Sequence, residues 1–375
     1  MSTFVDIHVI QNLPPSCVNR DDSGSPKSAV YGGVRRLRIS SQSWKRAARL
    51  YFNDLLDASA VGVRTKRVVE LLAARIAEEA PDLAEDAPVL AEGVFKAAKI
   101  KLSAPRGKKD APLESGYLLF LSTSQVARLS ALAIEAARSG SAPDAKEVKK
   151  IFKEAHAVDI ALFGRMVADD TDLNIDAACQ VAHAISTHAA ENEYDFFTAV
   201  DDEKSRSEEE DAGAGMMGTV EFASATVYRY ATVNLDLLEE NLGDASAALK
   251  ALEVFIKGFC LSMPTGKQNT FANRTVPEVI VVSVREDQPV SFVGAFEKPV
   301  RTDEVRGYLD GSVDRLAAHA RGIEDNYGLR PTHSFVVALS DSAGAGSLGE
   351  RVPFTELPGR VREAVSQSAA SEEQA

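Results

Sequence analysis

The chain has 375 residues, with 42 Lys and Arg against 55 Asp and Glu, a formal net charge of −13, 45% hydrophobic and 26% charged residues. That is an ordinary globular composition, enough chain for about two to three domains. Its three cysteines, Cys17, Cys179 and Cys260, have no paired spacing. This excludes a disulfide framework or cysteine zinc site and points to a reducing cytoplasm, while the absence of any apolar run near ~18 residues excludes a helical membrane span.

The opening MSTFVDIHVIQNL carries Asp6 and no basic stretch, so it does not read as a signal peptide. Phe4–Ile10 alternates, with Val5, Ile7 and Val9 on one side and Asp6 and His8 between them, which predicts a half-buried strand. Pro14–Lys27 is loop by composition and holds Asn19 and Arg20.

The next stretch concentrates charge. Ser23–Asn53 contains seven Lys or Arg (Lys27, Arg35, Arg36, Arg38, Lys45, Arg46 and Arg49) and no acid, inside a chain of net −13. Such segregation reads as a site for a polyanion. Val34–Ile39 is strand-like, and Ser40 and Ser41 are good N-cap residues for a helix running to about Leu56. On that helix Gln42, Lys45, Arg46 and Arg49 fall at i, i+3, i+4 and i+7 and share a face, opposite Trp44, Ala47, Ala48, Tyr51, Phe52 and Leu55. Cations in the first turns oppose the helix dipole, which a bound phosphate would reverse.

From about Ala58 to Ala190 the pattern turns helical, with predicted helices over Lys66–Ala80, Gln125–Ser139, Asp144–Ala155 and Leu173–Ala190. This predicts an all-helical insertion. Tyr194, Phe196 and Phe197 precede Asp201–Gly215, which is too polar to pack and reads as a mobile tip. The β-rich Gly218–Asn234 then suggests a hairpin-like projection returning to a core strand. A helix over Ala245–Leu261, a strand over Val276–Val284, a helix over Thr302–Arg321, a strand over His333–Leu339 and a disordered tail over Ser366–Ala375 complete the chain. With the insertion removed, the fold class is α+β, approximating a ferredoxin-like β-α-β-β-α-β core.

Catalytic patterns are scarce. There is no H-E-x-x-H, C-x-x-C or G-x-S-x-G, and TGKQNT at Thr265–Thr270 lacks the glycine and hydroxyl of a P-loop. His183 and His188 do not share a helix face and read as cap or core histidines. Asp21 and Asp22 read as turn acids, with a metal-assisted phosphodiester role as the rival; Asp169, Asp170, Asp201 and Asp202 read as loop acids. No metal and no cofactor is expected. Met166 could serve as a flexible apolar wedge, Phe196 and Phe197 as stacking platforms, and Lys267 with Gln268 and Lys298 with Arg301 as further polar loop contacts.

FVDIHVIQNLPPSCVNRDDSGSPKSAVYGGVRRLRISSQSWKRA (Phe4–Ala47) closely resembles the N-terminus of the CasC (Cse-type) backbone subunits of the type I-E CRISPR Cascade complex, within the RAMP superfamily. The resemblance continues in VDIALFGRMVADD (Val158–Asp170), AHAISTH (Ala182–His188), DFFTAVDD (Asp195–Asp202), GTVEFASATVYRYATVNLDLLEENLG (Gly218–Gly243), GKQNTFA (Gly266–Ala272) and AFEKPV (Ala295–Val300). It implies an RRM-like palm (1–57 and 221–358), a helical fingers insertion (58–189), a protruding thumb hairpin (190–220) and a C-terminal segment (359–375). It further implies a non-catalytic scaffold in the cytoplasm that stacks along the CRISPR RNA spacer. The partners would be that RNA, other copies of the chain, other Cascade subunits and target DNA through guide pairing, with no membrane. The implied RNA contacts are Asn19, Arg20, Lys27, Ser40, Gln42, Lys45, Arg46 and Arg49 on the palm, Arg165 and Met166 in the fingers, Phe196 and Phe197 on the thumb, and Lys267, Gln268, Lys298 and Arg301. Phe196 stands where the family has Trp. Rival readings are a RAMP-type metal-dependent ribonuclease using Asp21 or Asp22, and a protein binding a small phosphorylated ligand at the Ser40–Lys45 helix start.

Overall fold

The computed structural model describes residues 2–105, 107, 111–199, 216–302, 307–339 and 343–372. The predicted tip over Asp201–Gly215 lies outside them.

In chain order the first elements are β1 (Phe4–Ser16), β2 (Ser28–Tyr31), β3 (Val34–Ile39), α1 (Ser41–Phe52), β4 (Gly62–Thr65), α2 (Val68–Glu79) and α3 (Ala87–Ala97). There follow β5 (Leu102–Ser103), β6 (Glu114–Ser115), β7 (Leu119–Ser122), α4 (Thr123–Arg138), α5 (Ala145–Lys153), α6 (Val158–Phe163), β8 (Cys179–Val181), β9 (Ala184–Ser186) and β10 (Glu193–Ala199). The remainder is β11 (Met216–Asn234), α7 (Leu235–Leu242), α8 (Ala245–Leu261), α9 (Gln268–Phe271), β12 (Val279–Arg285), α10 (Tyr308–Tyr327), β13 (His333–Ala338), α11 (Ala343–Gly346), β14 (Glu350–Arg351) and α12 (Leu357–Glu372). The chain divides into two compact units, one of Met1–Ala48, Val181–Thr232 and Phe255–Ala375, the other of Arg49–Gln180 and Val233–Val254.

The first unit is built on a sheet of order β14-β13-β12-β1-β11-β9-β3-β2, with β10 paired to β11. Strand β1 runs antiparallel to β12 from Phe4 opposite Arg285 to Ile10 opposite Val279. It is buried on both faces rather than half-buried, so its charged residues need internal partners. Asp6 is paired with Arg285 at 3.0 Å and accepts from the Tyr230 hydroxyl at 2.8 Å and the Val290 N–H at 2.8 Å. His8 Nδ1 lies 2.9 Å from the Tyr228 hydroxyl, its ring stacked 4.0 Å from Phe292. In chain order β1, α1, β9, β11, α8 and β12 form a β-α-β-β-α-β run whose strands lie in the order β12-β1-β11-β9.

The second strand of that run corrects the sequence reading. Apolar spacing predicts a helix over Leu173–Ala190, yet the chain there forms β8 and β9. Ala184 and Ile185 pair with Ile39 and Arg38, and Ile185 and Ser186 with Tyr228 and Val227, so sheet pairing on both edges overrides a weak helical period. The C-terminal tail is likewise corrected. Residues from Ser366 to Glu372 continue α12, which buries Leu357, Val361, Ala364 and Val365.

The second unit has a core of Val69, Leu72 and Ile76 from α2, Val94 and Phe95 from α3, Leu129 and Ala133 from α4, and Val148 and Phe152 from α5. It is not all-helical. Strand β4 pairs with β7, and β5 with β6, short two-stranded pieces that the helical spacing around them hid. Helix α4 starts in a reciprocal capping box, Ser122 with Gln125.

Candidate nucleic-acid interface

The basic segment folds as a hairpin followed by a helix, and a buried arginine holds the hairpin down. Strands β2 and β3 turn at Gly32 and Gly33, both at positive φ. Gly32 is required by approach as well as by angle, since a Cβ there would stand 1.6 Å from the Glu297 carbonyl oxygen. Arg36 donates to the carbonyl oxygens of Tyr31 (3.1 Å), Ser186 (3.1 Å), Phe296 (2.8 Å) and Glu297 (3.2 Å). It is buried, so one of the seven cations in the segment is a strut rather than part of a polyanion surface. The same contacts fix the Phe296–Glu297 backbone that carries Lys298, while the Val300 N–H donates to the Thr187 carbonyl at 3.0 Å beside Arg301. Lys298 and Arg301 are both exposed.

Helix α1 is seated by Trp44, which is buried under the Arg229 guanidinium at 3.6 Å from its ring. That seating turns Gln42 and Arg46 outward and leaves Lys45 half-buried. Three N–H groups at its start have partners. The Ser40 N–H donates to Asn19 Oδ1 at 2.9 Å, the Ser41 N–H to His183 Nδ1 at 2.8 Å, and the Ser43 N–H to Ser40 Oγ at 3.4 Å. Asn19 and Ser40 are thus capping residues in this structure. His183 serves as a cap and His188 as a core residue, stacked 3.5 Å from Tyr308 and accepting from the Thr226 N–H at 3.1 Å.

Arg20 is exposed, in the loop after β1, and Lys27 is half-buried at its end. Asp21 closes that loop on itself by accepting from the Ser23 hydroxyl at 2.7 Å and the Ser23 and Ser25 N–H groups at 3.0 Å, and the hydroxyl first, then the backbone N–H groups, lower its carboxyl pKa. The TGKQNT loop packs against the same region. Gly266 has no room for a Cβ, which would lie 2.1 Å from the Val18 carbonyl oxygen. Burial raises the Cys17 thiol pKa, while the charges of Lys267 and then Arg20 oppose the shift. Lys267 and Ala272 bracket α9 in the left-handed region, φ 45° and 47°, a strain of about 1 kcal/mol or more each. Between them Gln268, Asn269 and Thr270 are exposed.

In the second unit Arg49 lies over the Phe120 ring at 5.2 Å. Arg165 is only 4% exposed and donates to the carbonyl oxygens of Leu173 and Phe152. It is a buried brace, which corrects its assignment as an RNA contact. Its neighbour Met166 is 78% exposed. Asp169 and Asp170 are paired with Lys101 at 3.5 Å and Lys149 at 2.6 Å, so they are not merely solvated.

On the β10–β11 hairpin Phe196 stands opposite Thr219 and Phe197 opposite Gly218. Strand alternation puts the two rings on opposite faces. Phe196 is 64% exposed, beside Tyr194 at 68%; Phe197, at 37%, lies against Gly218. Tyr194 is the aromatic that shares the Phe196 face, and the i, i+2 spacing would have identified it. Among the described residues no cluster of three His, Cys, Asp or Glu could hold a metal, and no helix is long and apolar enough to cross a membrane.

A mixed α/β fold with a ten-stranded sheet thus presents Arg20, Lys27, Gln42, Lys45, Arg46 and Lys267 around one strand-to-helix junction of a net-acidic chain. The family model described as CT1975-like protein matches residues 5–357, and the chain belongs to that family. It is similar to a chain of the solved structure "CRISPR RNA-guided surveillance complex, pre-nicking", at 36% identity and a TM-score of 0.85, over 96% of this chain and 99% of that one. It is also similar to a chain of "CRISPR RNA-guided surveillance complex", at 29% identity and a TM-score of 0.74, over 96% and 99%. No curated protein sequence matches it.

Proposed function

We propose that the chain is a CRISPR RNA-binding backbone subunit of a type I-E Cascade, of the CasC kind, that stacks copy upon copy along the guide spacer. The β-α-β-β-α-β run in the order β12-β1-β11-β9 supports an RRM-like palm. The second unit supports the fingers and the β10–β11 hairpin the thumb. The observation that carries the reading is the local cationic face, Arg20, Lys27, Lys45, Arg46 and Lys267, on a protein of net charge −13. Such a surface grips phosphates without reading bases and leaves sequence to guide pairing. The Phe196 side of the hairpin is the stacking platform, and Met166 the wedge.

The test is the salt dependence of RNA affinity in a Lys45→Ala/Arg46→Ala chain. The slope of log K against log salt should fall by about 1 to 2 units if each makes one phosphate contact. An unchanged slope would remove this face from the RNA path. Length-dependent elongation of particles on RNA, seen by small-angle scattering, tests the stacking.

A further inference from the structure

His183 is used once by the fold and has a second end. The β3–β9 register pairs Arg38 with Ile185 and Ile39 with Ala184, so the next step brings His183 beside Ser40, at the start of α1. There Nδ1 accepts from the Ser41 N–H at 2.8 Å. An accepting nitrogen carries no proton, so the neutral ring holds its single proton on Nε2. Burial, then Arg38 and Lys27, lower the His183 pKa and keep the ring neutral at neutral pH. The side chain is exposed, and among the described residues nothing accepts from Nε2. A fixed, outward N–H donor therefore stands within the field of two cations of the basic segment.

We propose that His183 is a further contact of the interface, a neutral imidazole whose Nε2–H donates to a phosphate oxygen of the bound RNA beside Lys27 and Arg38. This rests on the RNA-binding reading above. The bland alternative is a helix cap and nothing more.

Two amide variants separate these roles. His183→Asn places a carbonyl oxygen near the Nδ1 position, which keeps the acceptor for Ser41 and removes the outer donor. His183→Gln reaches the Nε2 position with an N–H. With the full chain and a single-stranded RNA, His183→Asn should weaken binding about ten- to hundredfold, the loss of one hydrogen bond to an anionic phosphate oxygen. The salt slope should stay unchanged, because no charge is removed. His183→Gln should recover much of the loss.

Unaltered affinity in His183→Asn, alongside a reduced slope in Lys45→Ala/Arg46→Ala, overturns this contact and leaves the RNA reading standing. Unaltered binding in both overturns the two together. Should His183→Asn fail to fold, nitrogen-15 NMR of the histidine-labelled unmutated chain decides: RNA should shift the Nε2–H signal and slow its exchange, and a signal that RNA leaves in place refutes the proposal.

Discussion

The Arg36 guanidinium reaches the carbonyl oxygen of Phe296 at 2.8 Å across 260 residues of chain. Replacing it with Met would leave the buried carbonyl oxygens of Ser186 and Phe296 and the part-buried ones of Tyr31 and Glu297 without this donor. Each unsatisfied group is worth about 1–3 kcal/mol, and partial relaxation makes about 3 kcal/mol a reasonable total for Arg36→Met. Arg35→Met, exposed on the same strand, should change stability by less than about 0.5 kcal/mol. Chemical denaturation of both variants checks this, and equal losses would refute the strut.

Asp159 makes stability pH-dependent. It is fully buried on α6, with Oδ1 accepting from the Gly62 N–H at 2.9 Å and Oδ2 without a hydrogen-bond partner. Burial raises its pKa from 3.8 to about 6, outweighing the Gly62 N–H and the nearby Arg49. The folded state therefore holds the proton where the unfolded state has lost it. That contribution is complete below pH 3.8 and is lost as pH rises through about 6. The full difference amounts to roughly 3 kcal/mol. Asp159→Asn should match the unmutated chain near pH 4 and be the more stable of the two at pH 7.5. Thermal melts across that range give the answer, and parallel pH profiles would refute it.

Gly266 ties the Lys267–Gln268 loop to the strand β1 exit. Gly266→Ala would press a methyl group to 2.1 Å from the Val18 carbonyl oxygen, so the loop must move. The expected result is a loss of RNA affinity comparable to Lys267→Ala together with a destabilisation of about 1–3 kcal/mol. Gly116→Ala, which meets nothing within 4 Å, is the control.

The two faces of the β10–β11 hairpin predict different outcomes for adjacent residues. Phe196→Ala and Tyr194→Ala remove exposed rings and should leave the melting temperature unchanged while weakening RNA-dependent assembly. Phe197→Ala uncovers Gly218 and should act on the hairpin itself, read as faster amide exchange at Gly218. Identical effects of Phe196→Ala and Phe197→Ala on assembly would undo the assignment of faces.

Much of this was legible in the sequence where one signal dominated. The strand-like Val34–Ile39 and the Ser40–Ser41 cap signal foretold β3 and α1, and the periodicities of α2, α4 and α5 foretold those helices within a few residues. What escaped was set by distant partners. Ala184–Ser186 is a strand only because β3 and β11 flank it. Arg36 and Arg165 look like any other cations until carbonyl groups far along the chain close around them. His183 read as a cap or core residue, and no local pattern revealed that capping would orient its second nitrogen outward.

The position of β1 has a consequence during synthesis. Phe4 pairs with Arg285 and Val5 with Val284, so β1 leaves the ribosome some 280 residues ahead of its β12 neighbour. At translation rates of roughly 5–20 residues per second that interval is tens of seconds. Throughout it Val5, Ile7 and Val9, all fully buried in the finished sheet, wait without β12 on one edge of their strand. Chaperone capture of the nascent chain is expected in that window. A deletion of the first ten residues would remove an interior strand and not trim an edge.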